Sequence, residues 1–419
     1  MNRKNVLFRL FLMVAVMSVA FSGCDKEDES TPLKLVSLVA GDIDLNGASS
    51  PNTVPVEPTI VATFNTDIDA ATATNANIII NQDYDDTDIA INIVVAGKTI
   101  TITTAEPLGN GTLFELSFGA GLMSAEKLAN TSFARTFTTI GTFVPAGSVA
   151  YWNFEDNAND QVGSMNPKSD GIVDISYVSS RNTAAGKAAE FNGTTSIIEY
   201  ANGDALVDTE DFTLSVWVKA MEAGHGHFVI GLGAYFGFQL EIGASFKDFK
   251  MPVMFELADG TTATGGDLAY NGDGLTKDNG GYIGTTFNKE NAAIDASLKE
   301  KWAHITYVYN NETRERSFYL NGELVKTQDH DLFATDAGVA DVVASSVGLK
   351  YGGSEPDVKN ELALGFIQSR GGAMWDAEPW GGYDLPGANH FKGLLDDVRV
   401  FHKPLTAVEI GLMYNSEKP

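Results

Sequence analysis

Twenty residues near the end of the chain, FKGLLDDVRVFHKPLTAVEI from Phe391 to Ile410, constrain the fold more than any other stretch. They set a glycine turn at Gly393, an alternating strand and a paired acid, Asp396 and Asp397, shortly before a helix. Period-two alternation puts Asp396, Val398 and Val400 on one strand face and Asp397, Arg399 and Phe401 on the other. Thr406 followed by Glu409 is a capping box, and Leu405 is placed to staple against Ile410 where the helix starts.

The rest of the 419 residues is too long for one ordinary core, so two or three domains are expected. Hydrophobic residues at 44% exclude wholesale disorder, and 42 glycines point to many turns. A formal charge of −27 makes nucleic acid or an anionic membrane surface a poor partner. Acidity suits calcium binding and solubility outside a cell, although a solvated acidic surface is the preferred explanation.

At the N-terminus, Arg3, Lys4 and Arg9 form a basic region and Leu10 to Ala20 an apolar core too short to span a bilayer comfortably. Cys24, the only cysteine, allows no disulfide within the monomer. The run Phe21-Ser22-Gly23-Cys24 resembles the lipobox of bacterial lipoproteins, with Phe21 departing from the usual aliphatic residue. The resemblance implies a signal peptide over residues 1–23 and lipidation of Cys24. The charged tether, residues 24–32, carries Asp25-Lys26-Glu27-Asp28-Glu29 and cannot fold by itself. That run resembles the export signal of Bacteroidetes surface lipoproteins, which implies an outer-membrane anchor facing the cell exterior.

Residues 33–143 read as short strands between turn clusters, with Thr59, Val61 and Thr63 alternating against Ile60, Ala62 and Phe64. Thr99, Thr101 and Thr103 against Ile100 and Ile102 repeat the pattern, as does Phe114, Leu116, Phe118. The region resembles a bacterial Ig-like domain, which implies a β-sandwich used as a spacer. After Pro145-Ala146-Gly147, residues 148–417 carry landmark strands in a fixed order. These are Ala150 to Phe154, Ala189 to Gly193, Asp211 to Lys219, Trp302 to Tyr309 and the closing segment, with an Asn321-Gly322 hairpin signal between the last two. Together they resemble LamG-like, concanavalin A-like jelly-roll domains. The expected fold is all-β, an Ig-like sandwich followed by a jelly-roll sandwich. Residues 222–298 and 351–390 exceed a compact member of that family and read as long functional loops.

The LamG resemblance also implies a structural calcium site joining the loop after the opening strand to the closing acidic pair. Asp160 is the side-chain ligand expected from the loop, with carbonyls near Gly163 and Asn166, and Asp396 from the other end, with Asp397 second. Acids that merely cap turns are the alternative. Asp42-Ile43-Asp44-Leu45-Asn46-Gly47 starts like an EF-hand loop but has Thr53 where the bidentate acid belongs, so an Asx-rich turn is preferred. Asp83, Asp85, Asp86 and Asp88 read as a solvated loop, and His225 with His227 lacks a third zinc ligand.

For ligand binding, the 351–390 stretch supplies the parts sugars use: aromatic platforms with planar amides and acids. Trp375 and Trp380 are the candidate platforms, each either a platform or a pin, with Asp376, Tyr383, Asp384 and Asn389 beside them. Tyr235, Phe236 and Phe238 read as core. No E-x-D-x-x-E, G-x-S-x-G or H-E-x-x-H motif occurs, so no catalytic residue is assigned. The resulting expectation is a non-catalytic, lipid-anchored glycan binder of the kind that serves polysaccharide capture, with an adhesive or spacer protein as the alternative and a glycoside hydrolase as the third reading.

Overall fold

The computed structural model of the protein describes residues 32–270, 285–287, 291–332 and 344–419. Cys24 and residues 1–31 lie outside the described residues. Alternation becomes sheet throughout. In the N-terminal half, Thr59–Phe64 pairs with Leu35–Ala40 on one side and Thr99–Thr104 on the other within a five-stranded sheet. A four-stranded sheet centred on Ile78–Gln82 and Leu113–Phe118 faces it. Ile60, Ala62, Phe64, Ile100, Ile102, Phe114, Leu116 and Phe118 are buried in one core between them, while the threonines turn outward. This is the Ig-like sandwich.

The jelly roll stacks a nine-stranded sheet on an eight-stranded one. The first runs Ser176–Ser179, Lys187–Asn192, Lys392–Phe401, Phe212–Ala220, Ala303–Asn310, Glu315–Leu320, Glu323–Asp329 and Thr285–Phe287, with Ser148–Trp152 added on Lys392–Phe401. Asn321 and Gly322 both adopt positive φ, 53° and 77°, as a type I′ hairpin turn requires. Phe212, Leu214, Val216 and Val218 point into the core as expected. Thr213, Ser215 and Trp217 on the opposite face are buried too, because the C-terminal helix Ala407–Glu417 lies across that face. Trp217 stacks on Tyr414 and its indole N–H donates to Glu417 at 2.7 Å. The capping box between Thr406 and Glu409 forms at the start of this helix, and Leu405 and Ile410 are buried in one cluster.

The second sheet corrects the reading of residues 222–298 as a long loop. His227–Gly231, Gln239–Ile242, Phe249–Leu257 and Thr262–Tyr270 are consecutive neighbours in the eight-stranded sheet, and Leu240, Ile242, Met251, Val253 and Phe255 enter the core. Glycines between these strands, at Gly233, Gly237, Gly243 and Gly260, give the stretch the look of a loop. Residues 351–390 contribute one short strand, Leu362–Leu364, and then a long loop across the end of this sheet.

Between the two sandwiches, Tyr84 from the Ig-like side packs edge-on against Phe143, ring centroids 5.3 Å apart. Phe143 in turn belongs to an apolar cluster with Phe401, Leu405, Ile410 and Met413 of the jelly roll.

Gly393 lies within the closing strand instead of a turn, at φ 151°, and a Cβ there would sit 2.1 Å from the Lys219 carbonyl oxygen. Gly393→Ala is therefore expected to lower stability by at least about 1–3 kcal/mol. Urea denaturation showing an unchanged midpoint would contradict this account of the strand.

Candidate functional site

The closing strand does not alternate through its acids. Lys392–Leu395 pairs with Lys187–Asn192, whereas Val398–Phe401 pairs with Ser148–Trp152 along the same edge. At the exchange, Asp397 takes a positive φ of 45° and the register against Phe212–Ala220 shifts. This bulge turns both carboxylates toward one guanidinium. Arg181 donates from Nη1 to Asp396 at 2.5 Å and from Nη2 to Asp397, while its Nε donates to the Glu417 carbonyl at 2.8 Å. Arg399 reaches Asp397 at 3.1 Å and Glu417 at 2.8 Å. The expectation that Asp396 and Asp397 occupy opposite faces is thus corrected by a bulge that the residue types do not announce.

Three buried carboxylates therefore share two guanidinium groups. Burial and the neighbouring Asp397 charge push Asp396 up to about 8. Against its own burial, Asp397 is held below the usual carboxylate range by Arg399 and Arg181. Burial raises Glu417. Beneath the helix, burial with Arg399 and Arg181 nearby pulls His304 down to about 3, so it packs there neutral.

The expected calcium ligands do not meet. Asp160 accepts backbone N–H groups from Tyr151, Val162 and Met165, at 3.0, 3.1 and 3.0 Å. Asn166 Oδ1 accepts the Asp160 N–H, and Gly163 packs against the Asp160 carboxylate, so the loop satisfies itself as a cluster of turns. Tyr151 stands between the two halves: its backbone N–H binds Asp160 and its phenol donates to Asp397. The donor set does not fit one shared cation, because the closing acids face arginines. Among the described residues no group of three or more His, Cys, Asp or Glu is placed to hold a metal ion. Asp44 accepts the Asn46 N–H in an Asx turn, and Asp85, Asp86 and Asp88 accept from the amides of Gln82 and Asn81. His225 and His227 rings lie 6.0 Å apart, but His227 is fully buried and burial pulls it down to about 4.

In the tryptophan loop one tryptophan is buried and the other exposed. Trp375 is 6% exposed and packs against Tyr235, Phe236 and Trp380. Trp380 is 39% exposed, edge-on to Phe228, and its carbonyl accepts the Asn389 N–H at 2.9 Å. Beside it opens a cleft of about 310 Å³ whose walls include Trp375, Trp380 and Tyr235 and whose floor includes Gln239, Glu241 and Lys250. Asn389 closes one side. The Gln239 amide donates to Glu241 at 2.9 Å, and Lys250 lies 3.5 Å from the same carboxylate.

Asp376, Tyr383 and Asp384 are not in this cleft. They line a separate cavity of about 380 Å³ built around Phe366, Gln368 and Arg370. Tyr383 donates its hydroxyl to the Thr195 carbonyl, and burial raises it to about 12. The expected ligand set is thus divided in two. Tyr235, read as core, is 41% exposed at the cleft, whereas Phe238 is fully buried as expected. Gln239 and Glu241 escaped notice, although their alternation with the buried Leu240 and Ile242 was the available signal.

Residues 43–139 match the bacterial Ig-like domain family, and residues 192–348 match the family described as the concanavalin A-like lectin/glucanases superfamily. The chain thus holds a bacterial Ig-like domain followed by a concanavalin A-like domain. No curated protein matches the chain. Among solved structures it is similar to the receptor-binding domain of botulinum neurotoxin mosaic serotype C/D, at 14% identity and TM-score 0.38, over 65% of this chain and 51% of that one. It is also similar to the binding domain of Paraclostridial Mosquitocidal Protein 1, at 14% identity and TM-score 0.40, over 64% and 52%. A third similar structure is the botulinum neurotoxin type G receptor binding domain, at 11% identity and TM-score 0.37, over 64% and 51%. The matched region spans about half the length of each.

Two outcomes follow for the acids. Between about pH 4 and 8 only the folded chain keeps the proton on Asp396, so this group makes stability fall as pH rises through that window. Asp396→Asn, which mimics the protonated carboxyl, is expected to flatten the decline, with a larger gain in Tm over wild type at pH 8 than at pH 5. Parallel profiles would remove the proton from Asp396. Melting in millimolar calcium and in EGTA is expected to give the same Tm; a rise with calcium would restore the shared ion.

Proposed function

We propose that the chain binds carbohydrate through the Trp380 cleft of its concanavalin A-like domain. The supporting observation is the exposed pair Trp380 and Tyr235 flanking a floor of Gln239, Glu241 and Lys250. Pyranose rings present an apolar face that stacks on such aromatics, and their hydroxyls need acceptors and donors of this kind held at fixed positions. Trp375, buried in the cleft wall, packs against Trp380 and holds it in place, so little ordering is required on binding. Among the described residues lining the cleft, Glu241 is the one carboxylate, and it is already engaged by Gln239 and Lys250. Glycoside hydrolysis uses two carboxyl groups across the bond, so the cleft favours capture over cleavage.

The proposal includes lipidation of Cys24 and display on the outer membrane, with the Ig-like domain as spacer. Both rest on the sequence of residues 1–32, and radiolabelled palmitate incorporation lost in Cys24→Ala would support the anchor. On the exterior of a cell, a glycan-binding domain of this kind serves polysaccharide capture.

Affinity electrophoresis through gels containing individual polysaccharides tests the central reading. Retardation by at least one polysaccharide is expected, with Trp380→Ala weakening it by about tenfold for a loss of roughly 1–1.5 kcal/mol. Tyr235→Ala is expected to weaken it less. If Trp380→Ala migrates like wild type in every retarding gel, the cleft is not the binding site.

A further inference from the structure

The cavity on the other side of the tryptophan loop carries polar groups that the protein leaves unused, the buried Gln368 Oε1 and Ser369 Oγ among them. Gln368 is 3% exposed, lines the cavity, and its Oε1 meets no hydrogen-bond donor. A buried acceptor left in this state costs about 1–3 kcal/mol, and such atoms are rare in folded chains. Two residues on, Arg370 is clamped by Glu199, with Nε donating at 3.2 Å and Nη2 at 2.8 Å, and Nη2 also donating to the Asp170 carbonyl at 2.7 Å. Its Nη1 has no such partner among the described residues. Glu199 is 1% exposed and lies 3.8 Å from Lys168 as well, whereas the Arg370 side chain is 33% exposed, so the buried carboxylate holds Arg370 in place with a spare donor at its open end.

The cavity's shape is also built. Phe366 and Gln368 line it while Ile367 between them lines the Trp380 cleft, so successive residues of this bent segment border different cavities. Gly372 forms bare wall beside Gln368, where a Cβ would come within 2.3 Å of Oε1. Leu385 and the ring of Tyr383 supply apolar surface, and the exposed carboxylates of Asp376 and Asp384 also line the cavity.

We infer that this cavity is a second sugar site, which takes an uncharged monosaccharide unit by giving the Arg370 Nη1 hydrogen to one hydroxyl and accepting another hydroxyl's proton at Gln368 Oε1. Adjacent hydroxyls of a pyranose carry both a donor and an acceptor, which is the pairing the cavity lacks. Anionic sugars are excluded, because Glu199 has already neutralised Arg370 and the remaining charges, Asp376 and Asp384, are negative. The inference deepens the reading of the chain as a glycan binder, yet rests on different residues from the Trp380 cleft.

Side-chain NMR on the labelled full chain tests it, with the Gln368 carboxamide (assigned by its loss in Gln368→Met) and the Trp380 indole N–H as separate reporters. The probes are D-glucose, D-galactose, D-mannose, N-acetyl-D-glucosamine and D-glucuronate. The expected result is a saturable shift of the Gln368 signal with at least one neutral sugar, none with glucuronate, and persistence of that shift in Trp380→Ala. Gly372→Ala is expected to abolish it while the Trp380 indole signal still reports a folded domain, and the exposed substitution Asp384→Asn to admit glucuronate. A Gln368 signal that stays still at saturating neutral sugar, with the cavity holding water only, overturns the second site. If Trp380 moves in that case, the cleft reading survives alone. If Gln368 moves and Trp380 does not, the cleft reading fails and the second site stands; if neither moves, both fail.

Discussion

Arg181 held between Asp396 and Asp397 is the contact on which the jelly roll turns. The closing strand must serve three neighbours, and it does so by bulging where one edge partner ends and the next begins. The bulge exposes two carboxylates that would repel each other in a buried position. Arg181, together with the proton that Asp396 keeps, relieves that repulsion; it also lies over the Trp217 ring at 4.7 Å and caps the last turn of the C-terminal helix through the Glu417 carbonyl. One side chain thus links the exchange point, the outer sheet face and the helix that covers it. Buried ion pairs add little over an apolar replacement of both partners, but removing one partner strands the other, typically at about 3–5 kcal/mol. The cluster is better understood as fixing a strand exchange than as adding stability.

What could be read from the residues was whatever depends on neighbours in sequence. The threonine–isoleucine alternation at Thr99–Thr104, the Asn321-Gly322 turn and the Thr406–Glu409 capping box involve groups within a few positions, and each formed. Where a partner lies far along the chain, the reading ran out. Asp396 and Asp397 resemble a metal-site pair until Arg181, more than two hundred positions away, is brought against them. The strands of residues 222–298 were obscured by the glycines that separate them, and by Gly231 at a strand end, where the Ile367 carbonyl would lie 2.1 Å from a Cβ.

The tryptophan loop shows the same limit at a smaller scale. Composition identified Trp375, Asp376, Trp380, Tyr383, Asp384 and Asn389 as one set, since they are close in sequence. A loop crossing the end of a sheet has two sides, however, and the structure distributes the set between two cavities. Which tryptophan is buried follows from packing against Tyr235 and Phe236, residues about 140 positions earlier. Sequence proximity marked the region, and tertiary packing divided the labour.

The seam at Tyr84 and Phe143 bears on how load passes through the molecule. Phe143 sits among side chains of the jelly roll's closing strand and helix, and Tyr84 reaches it from a turn of the first sandwich. Any bending between the two sandwiches at this point would first have to part the Tyr84 and Phe143 rings.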